Sequence, residues 1–197
     1  MTEIDRRGFL RLAIAAGTGA AGAVVNTTLG AGEIAVGKEL GISVGNASFD
    51  NQEKKACGNN PNPKACREEL INDPQLETEL LFNAPLIEEI IFRGVPSMAL
   101  SAYENRGNEE APHPIEAFVN GSGGLRMNRR EAIVGGVTAA AFGLAHNITE
   151  KGIDTKHVPA PQFTAGLTNW YLQRKFGFFS NFLSHIGANY LAKRQYK

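Results

Sequence analysis

Residues 84–94 read APLIEEIIFRG. Two glutamates and an arginine interrupt an otherwise apolar run. A core helix of a soluble protein would carry none of the three, and a surface helix would not surround them with Leu86, Ile87, Ile90, Ile91 and Phe92. On a helix, Glu88 and Glu89 project about 100° apart. Glu89 and Arg93 are four apart and share a face, with the carboxylate on the N-terminal side, the favourable order for an ion pair. Each such charge inserted alone into an apolar setting costs about 2.5–3.5 kcal/mol, so pairing is expected. Glu88 is left without a local partner, which suits a general base or acid.

The same mixture of oily helix and isolated polar group recurs twice downstream. AAAFGLAHN, residues 139–147, places Phe142 and His146 four apart on one face. SHIGANY, residues 184–190, does the same with His185 and Asn189. Taken singly, each is what ordinary helix–helix hydrogen bonding produces. Taken together, one Glu, two His and one Asn on three apolar helices can converge on one polar pocket, and ionisable groups inside membrane helices mark function. Two chemistries fit. A carboxylate and a histidine can activate water while the second histidine and the asparagine donate to an oxyanion. Alternatively, Glu88, His146 and His185 can bind a divalent metal such as zinc. The helical zinc motif His-Glu-x-x-His is absent.

The surrounding sequence supplies helix signals throughout. Asn72 or Asp73 followed by Pro74 starts a helix that runs through the 84–94 stretch to about Tyr103, kinked or restarted at Pro85. Residues 104–128 are a polar loop with Pro112 and Pro114. Asn128 caps the next helix, whose uncharged residues 132–149 would extend roughly 27 Å, just enough for a bilayer core. Pro161 opens another helix and Gly177 closes it; the last ends in cationic residues, as the helix dipole favours. No strand-like alternation and no repeat is present. The expected fold is all-α: a compact, membrane-embedded helical bundle.

At the N-terminus, Arg6, Arg7 and Arg11 precede the uncharged, Ala- and Gly-rich residues 12–32. That is the layout of a targeting segment. Arg-Arg-Gly-Phe-Leu-Arg resembles the twin-arginine export motif, with Ala21-Gly22-Ala23 as a cleavage site. The alternative is an uncleaved anchor whose N-terminus stays in the cytoplasm under the positive-inside rule. The chain thus divides into an N-terminal signal or anchor segment, 1–32, a polar linker, 33–79, and a helical core, 80–194. Within the linker, Cys57 and Cys66 flank a loop rich in Asn and Pro, and they form either a disulfide or two free thiols. Twenty Lys and Arg balance twenty Asp and Glu, so there is no single-sign field for nucleic acid. A mean hydropathy of -0.20 hides a very uneven distribution.

Three motifs stand in order: EEIIFR fits Glu-Glu-x-x-x-Arg, FGLAH fits Phe-x-x-x-His and HIGAN fits His-x-x-x-Asn. Together with their flanks, APLIEEIIFRG and FTAGLTNWYLQRKFGFFSNFLSHIGAN with its Gly166, they resemble the CPBP family of CAAX prenyl proteases and bacteriocin-processing (Abi) intramembrane proteases. The resemblance spans about residues 80–192. It implies a bundle in the lipid bilayer that cleaves a peptide or membrane-protein substrate. Glu88 would activate water with His146, His185 and Asn189 would stabilise the oxyanion, and Glu89, Arg93 and Phe142 would support them. The family is often labelled metalloprotease, and a metal-free glutamate mechanism suits the same residues. The chain departs from the family in its short apolar helices. A non-catalytic membrane protein of the same fold, as in bacteriocin self-immunity, and an exported soluble helical domain are the competing expectations.

Overall fold

The computed structural model describes residues 6–45 and 53–195. The beginning of the N-terminal segment and residues 46–52 of the linker lie outside the described residues. The fold is mostly helical. Helix α1 (Arg6–Glu39) is followed by a two-residue strand β1 (Ser43–Val44), α2 (Pro63–Ile71) and a continuous helical rod over residues 74–104. Next come α6 (Pro114–Asn120) and α7 (Arg129–Ala145), the short strands β2 (Ile148–Thr149), β3 (Gly152–Ile153) and β4 (His157–Val158), then α8 (Ala160–Phe176) and α9 (Phe178–Gln195). β1 pairs with β4 in parallel and β2 with β3 antiparallel. Two residues are too few to show alternation, which is why these strands leave no trace in the sequence pattern.

The rod over 74–104 contains the 84–94 stretch. It comprises α3 (Pro74–Thr78), a π turn (Glu79–Asn83), α4 (Ala84–Glu89), a second π turn (Ile90–Gly94) and α5 (Val95–Glu104). Asp73 caps it, its carboxylate accepting from the Gln75 and Leu76 amides. Each π turn ends just before a proline, Pro85 in α4 and Pro96 in α5. A proline in an α-helix lacks an N–H and its ring crowds the carbonyl four residues back. Widening the turn to i→i+5 bonding moves the backbone away from that conflict. Pro85 therefore neither breaks nor restarts the rod.

Other boundaries follow local chemistry. Asn128 and Glu131 form a reciprocal capping box at the start of α7. Gly177, at φ 84°, turns α8 into α9. Two expectations change. The N-terminal helix runs seven residues past position 32, to Glu39, because nothing in AVGKE breaks it. The polar loop 104–128 contains α6, capped by His113 with Pro114 at its first position. Cys57 and Cys66 are joined in a disulfide that ties a helical turn at residues 53–57 to α2.

The interior of the bundle holds many polar side chains beside Phe142, Trp170 and Leu172, and many large aliphatic side chains face outward. Glu89, Arg93, Ser97, Gln173, Ser180, Asn181 and Ser184 are wholly buried. Ile87, one turn from that interior on the same rod, is 55% exposed, and Leu86, Ile90, Ile91, Val95, Ile133, Val137 and Phe179 also face outward. Tight helix contacts rest on small residues. Along α1 the inward positions are Ala15, Gly19, Gly22, Ala23, Asn26 and Gly30, and this face lies along α9 and α8. A Cβ on Gly19 would sit 2.8 Å from that of Leu183, and one on Gly22 would sit 2.6 Å from the Ser184 Oγ. Among the described residues, the span Phe9–Glu39 alone is long and apolar enough to cross a membrane by length and composition, a test that a signal sequence also passes.

Candidate functional site

The rod sends its two adjacent glutamates in different directions. Glu89 points into the core and becomes a hub. Its Oε1 accepts from Asn169 Nδ2 at 3.1 Å and lies 2.6 Å from His185 Nδ1, while Oε2 accepts from Asn181 Nδ2. Arg93 Nη1 is 3.4 Å from Glu89 Oε1, the i,i+4 pair expected from spacing. The guanidinium makes no hydrogen bond with a described group; it lies over the Phe142 ring, 3.9 Å from its centroid. The charge of Glu89 and the face of Phe142 together stabilise it. Gly166 lets α8 approach α7 closely: a Cβ there would sit 2.8 Å from Ala139 Cα and 3.4 Å from Arg93 Nη2.

Glu88 turns toward histidines on α7 and α9, its side chain about a quarter exposed. Its Oε1 is 3.9 Å from His146 Nε2 and its Oε2 is 3.5 Å from His185 Nε2. Both imidazoles are held from behind. His146 caps the C-terminus of α7, with Nδ1 2.8 Å from the Phe142 carbonyl, which can only accept. His185 Nδ1 faces the Glu89 carboxylate, which also only accepts. Each Nδ1 therefore carries the proton, and each Nε2 is directed at Glu88. Phe142 is the plate between them, its centroid 4.5 Å from the His146 ring and 5.9 Å from the His185 ring.

Six of the seven predicted residues thus form one continuous group: Glu88, Glu89, Arg93, Phe142, His146 and His185. Asn189 does not join it. Its Nδ2 donates to the Leu80 carbonyl at 2.8 Å. The reason is local. In the π turn the donor to Leu80 would be residue 85, and Pro85 has no N–H. Asn189 supplies the missing donor and fastens α9 to the rod. The structure thus places the Asn189 amide at the Leu80 carbonyl, whereas the sequence reading pairs it with His185 at an oxyanion.

Glu88, His146 and His185 are zinc-type donors, but among the described residues no three such side chains are grouped to hold one metal ion. Beside His146, the Asn147 amide holds the loop 148–158 by donating to the carbonyls of Asp154 and His157, at 3.1 and 2.7 Å. The Lys156 backbone N–H holds the Asp154 carboxyl in that loop below the usual carboxylate range.

Some residues that shape the site were not singled out from sequence. Asn181 stands four before His185, and that spacing was a readable signal. Asn169 offered none beyond being polar in an apolar helix. A second buried network lies at the other end of α8. Arg174 bonds Glu131, Ser97, Ser101 and Glu104, and Lys175 bonds both oxygens of Glu131. Four charges cancel there, and the capping glutamate doubles as their centre. Comparison with protein-family models, with curated proteins and with solved structures finds no match to this chain.

Proposed function

We propose that this chain is a membrane-embedded endopeptidase of the CPBP type, hydrolysing a peptide bond with water activated by Glu88. The observation that carries the reading is the Glu88 carboxylate set between two imidazole Nε2 atoms, each imidazole locked from behind by an acceptor on its Nδ1. The gap of 3.9 Å to His146 Nε2 is too wide for a direct hydrogen bond and suits a water that donates to both groups.

In the proposed reaction that water gives a proton to Glu88 as its oxygen bonds to the scissile carbonyl carbon. His146, whose Nδ1–H is committed to Phe142, orients the water through Nε2. His185, held through Nδ1 by Glu89, is the group set to donate from Nε2 to the developing oxyanion. The C–N bond then breaks, and the proton on Glu88 passes to the leaving amine. Glu89 and Arg93 touch no reacting atom. They are positioning residues for His185 and for the face of Phe142.

The membrane setting is part of the proposal. Its support is the inverted distribution of polarity: buried charges that neutralise one another, and large aliphatic side chains turned outward on the rod, on α1 and on α7. A soluble exported domain would hide those side chains. The N-terminal span and its arginines favour a cytoplasmic N-terminus. The test is extraction and cleavage together. The protein should stay with membranes in alkaline carbonate and, reconstituted in bilayers, should cut peptides derived from membrane-adjacent segments. Release by carbonate would refute the membrane setting, and absence of hydrolysis across a broad peptide set would refute the peptidase. Adding a chelator to the same assay decides metal dependence.

A further inference from the structure

The N-terminal helix, which its sequence presents as a leader or an anchor, reaches the candidate site through hydrogen bonds. Asn26 of α1 is buried, and its Nδ2 donates to Asn169 Oδ1 at 3.1 Å and to Ser184 Oγ at 3.3 Å. Ser184 Oγ donates to the same Asn169 Oδ1 at 3.0 Å. Two donors on one amide oxygen fix which way the Asn169 side chain faces. With its oxygen held by Asn26 and Ser184, its Nδ2 is left for Glu89 Oε1. Glu89 in turn holds His185. An unbroken series therefore joins α1 to the imidazole beside Glu88: Asn26, Asn169, Glu89, His185.

A membrane anchor needs none of this. An anchor works through length and apolarity, and an amide on its buried face costs free energy unless it has partners. Residues 12–32 hold several small or apolar side chains that would pack at position 26 without that cost. We propose that Asn26 is a positioning residue for the candidate site, so that α1 is retained as a working part of it. This rests on the peptidase reading for its kinetic consequence only. The geometric consequence at His185 stands apart from it.

Asn26→Asp separates this role from packing, because the two side chains have the same shape. The aspartate accepts where asparagine donated. Ser184 Oγ would turn to donate to it, and Asn169 Oδ1 would lose both of its donors. The Asn169 amide would then be free to rotate and bring its oxygen against Glu89, loosening the His185 hydrogen bond. Asn26→Ala leaves Ser184 donating to Asn169, so its effect should be smaller. The groups facing His185 in this arrangement are Glu88, Glu89 and His146, with Arg93 behind Phe142.

The experiment uses the full chain in detergent micelles, with histidine labelled for magnetic resonance. The imidazole N–H of His185 that faces Glu89 is assigned by its loss in His185→Gln. It should be displaced or lost in Asn26→Asp and nearly unchanged in Asn26→Ala, while both variants keep the helical content and monodispersity of the parent. In the cleavage assay kcat should fall about tenfold or more in Asn26→Asp with KM unchanged, the loss of one hydrogen-bond link to a buried charge. An unmoved His185 resonance in folded Asn26→Asp overturns the proposal, whether or not cleavage is detected. So does a kcat loss equal in Asn26→Ala and Asn26→Asp that tracks only the folded fraction. Absence of cleavage in the parent protein refutes the peptidase reading and leaves the resonance to decide the relay.

Discussion

Glu88 and Glu89 are neighbours in sequence and opposites in environment, and Glu89→Gln tests that difference. Glu89 is wholly buried, with Asn169, Asn181 and His185 on its oxygens and Arg93 Nη1 at 3.4 Å. Glutamine keeps the shape and removes the charge. Its new amide hydrogens point at Asn181 or Asn169, which are donors already. Arg93, also wholly buried, is left over the Phe142 face with only the weaker pull of the Glu88 charge. Removing one partner of a buried ion pair costs about 3–5 kcal/mol. That is a large share of a net stability of about 5–15 kcal/mol. The assay is unfolding by increasing SDS in mixed micelles, followed by circular dichroism, for wild type, Glu88→Gln and Glu89→Gln. Glu89→Gln should unfold at much lower SDS. Glu88→Gln should be close to wild type, because Glu88 is about a quarter exposed and has no contact shorter than 3.5 Å to the two histidines. Adding Arg93→Met to Glu89→Gln should recover part of the loss, because the orphaned charge is gone. Equal unfolding of Glu88→Gln and Glu89→Gln would refute the division of labour between them.

Three further outcomes are expected. Gly135→Ala should destabilise by about 1–3 kcal/mol, since its Cβ would stand 2.6 Å from the Nε1 of fully buried Trp170, which donates to the Glu131 carbonyl; Gly136→Ala, with nothing within 4 Å of its Cβ, should stabilise by up to about 1 kcal/mol, and the same SDS titration reads both. Asn189→Ala should cost about 1–3 kcal/mol by stripping the donor from the Leu80 carbonyl, with kcat per folded molecule nearly kept; a hundredfold kcat loss at unchanged stability would restore it to an oxyanion role. Cys57→Ser should remove about 2.5–3 kcal/mol of constraint from the segment 53–71, seen as faster limited proteolysis there with cleavage activity unchanged.

Much of this architecture was legible because caps and prolines act locally. Asp73, Asn128 and Gly177 each mark a boundary by satisfying or redirecting a few backbone groups, and the four-residue spacings of Glu89 with Arg93 and Phe142 with His146 place side chains on one face whatever surrounds them. What escaped depends on long-range geometry. The Asn189–Leu80 hydrogen bond follows from a π turn that sequence does not announce and from a proline more than a hundred residues away. The hub at Glu89 needed Asn169 and Asn181, whose partners become visible only when α4, α8 and α9 are brought together. The small-residue face of α1 reads equally well as a weak signal sequence. Its meaning lies in what α8 and α9 present to it.

The proposed role of Glu88 is to activate water between His146 and His185. Its most direct test is the cleavage rate of Glu88→Gln relative to wild type, both reconstituted in bilayers and normalised to folded protein. Loss of a general base that contributes about 10²–10⁴-fold should leave at most about one hundredth of the wild-type rate, with SDS stability unchanged. A Glu88→Gln protein that cleaves at the wild-type rate would rule out Glu88 as the base.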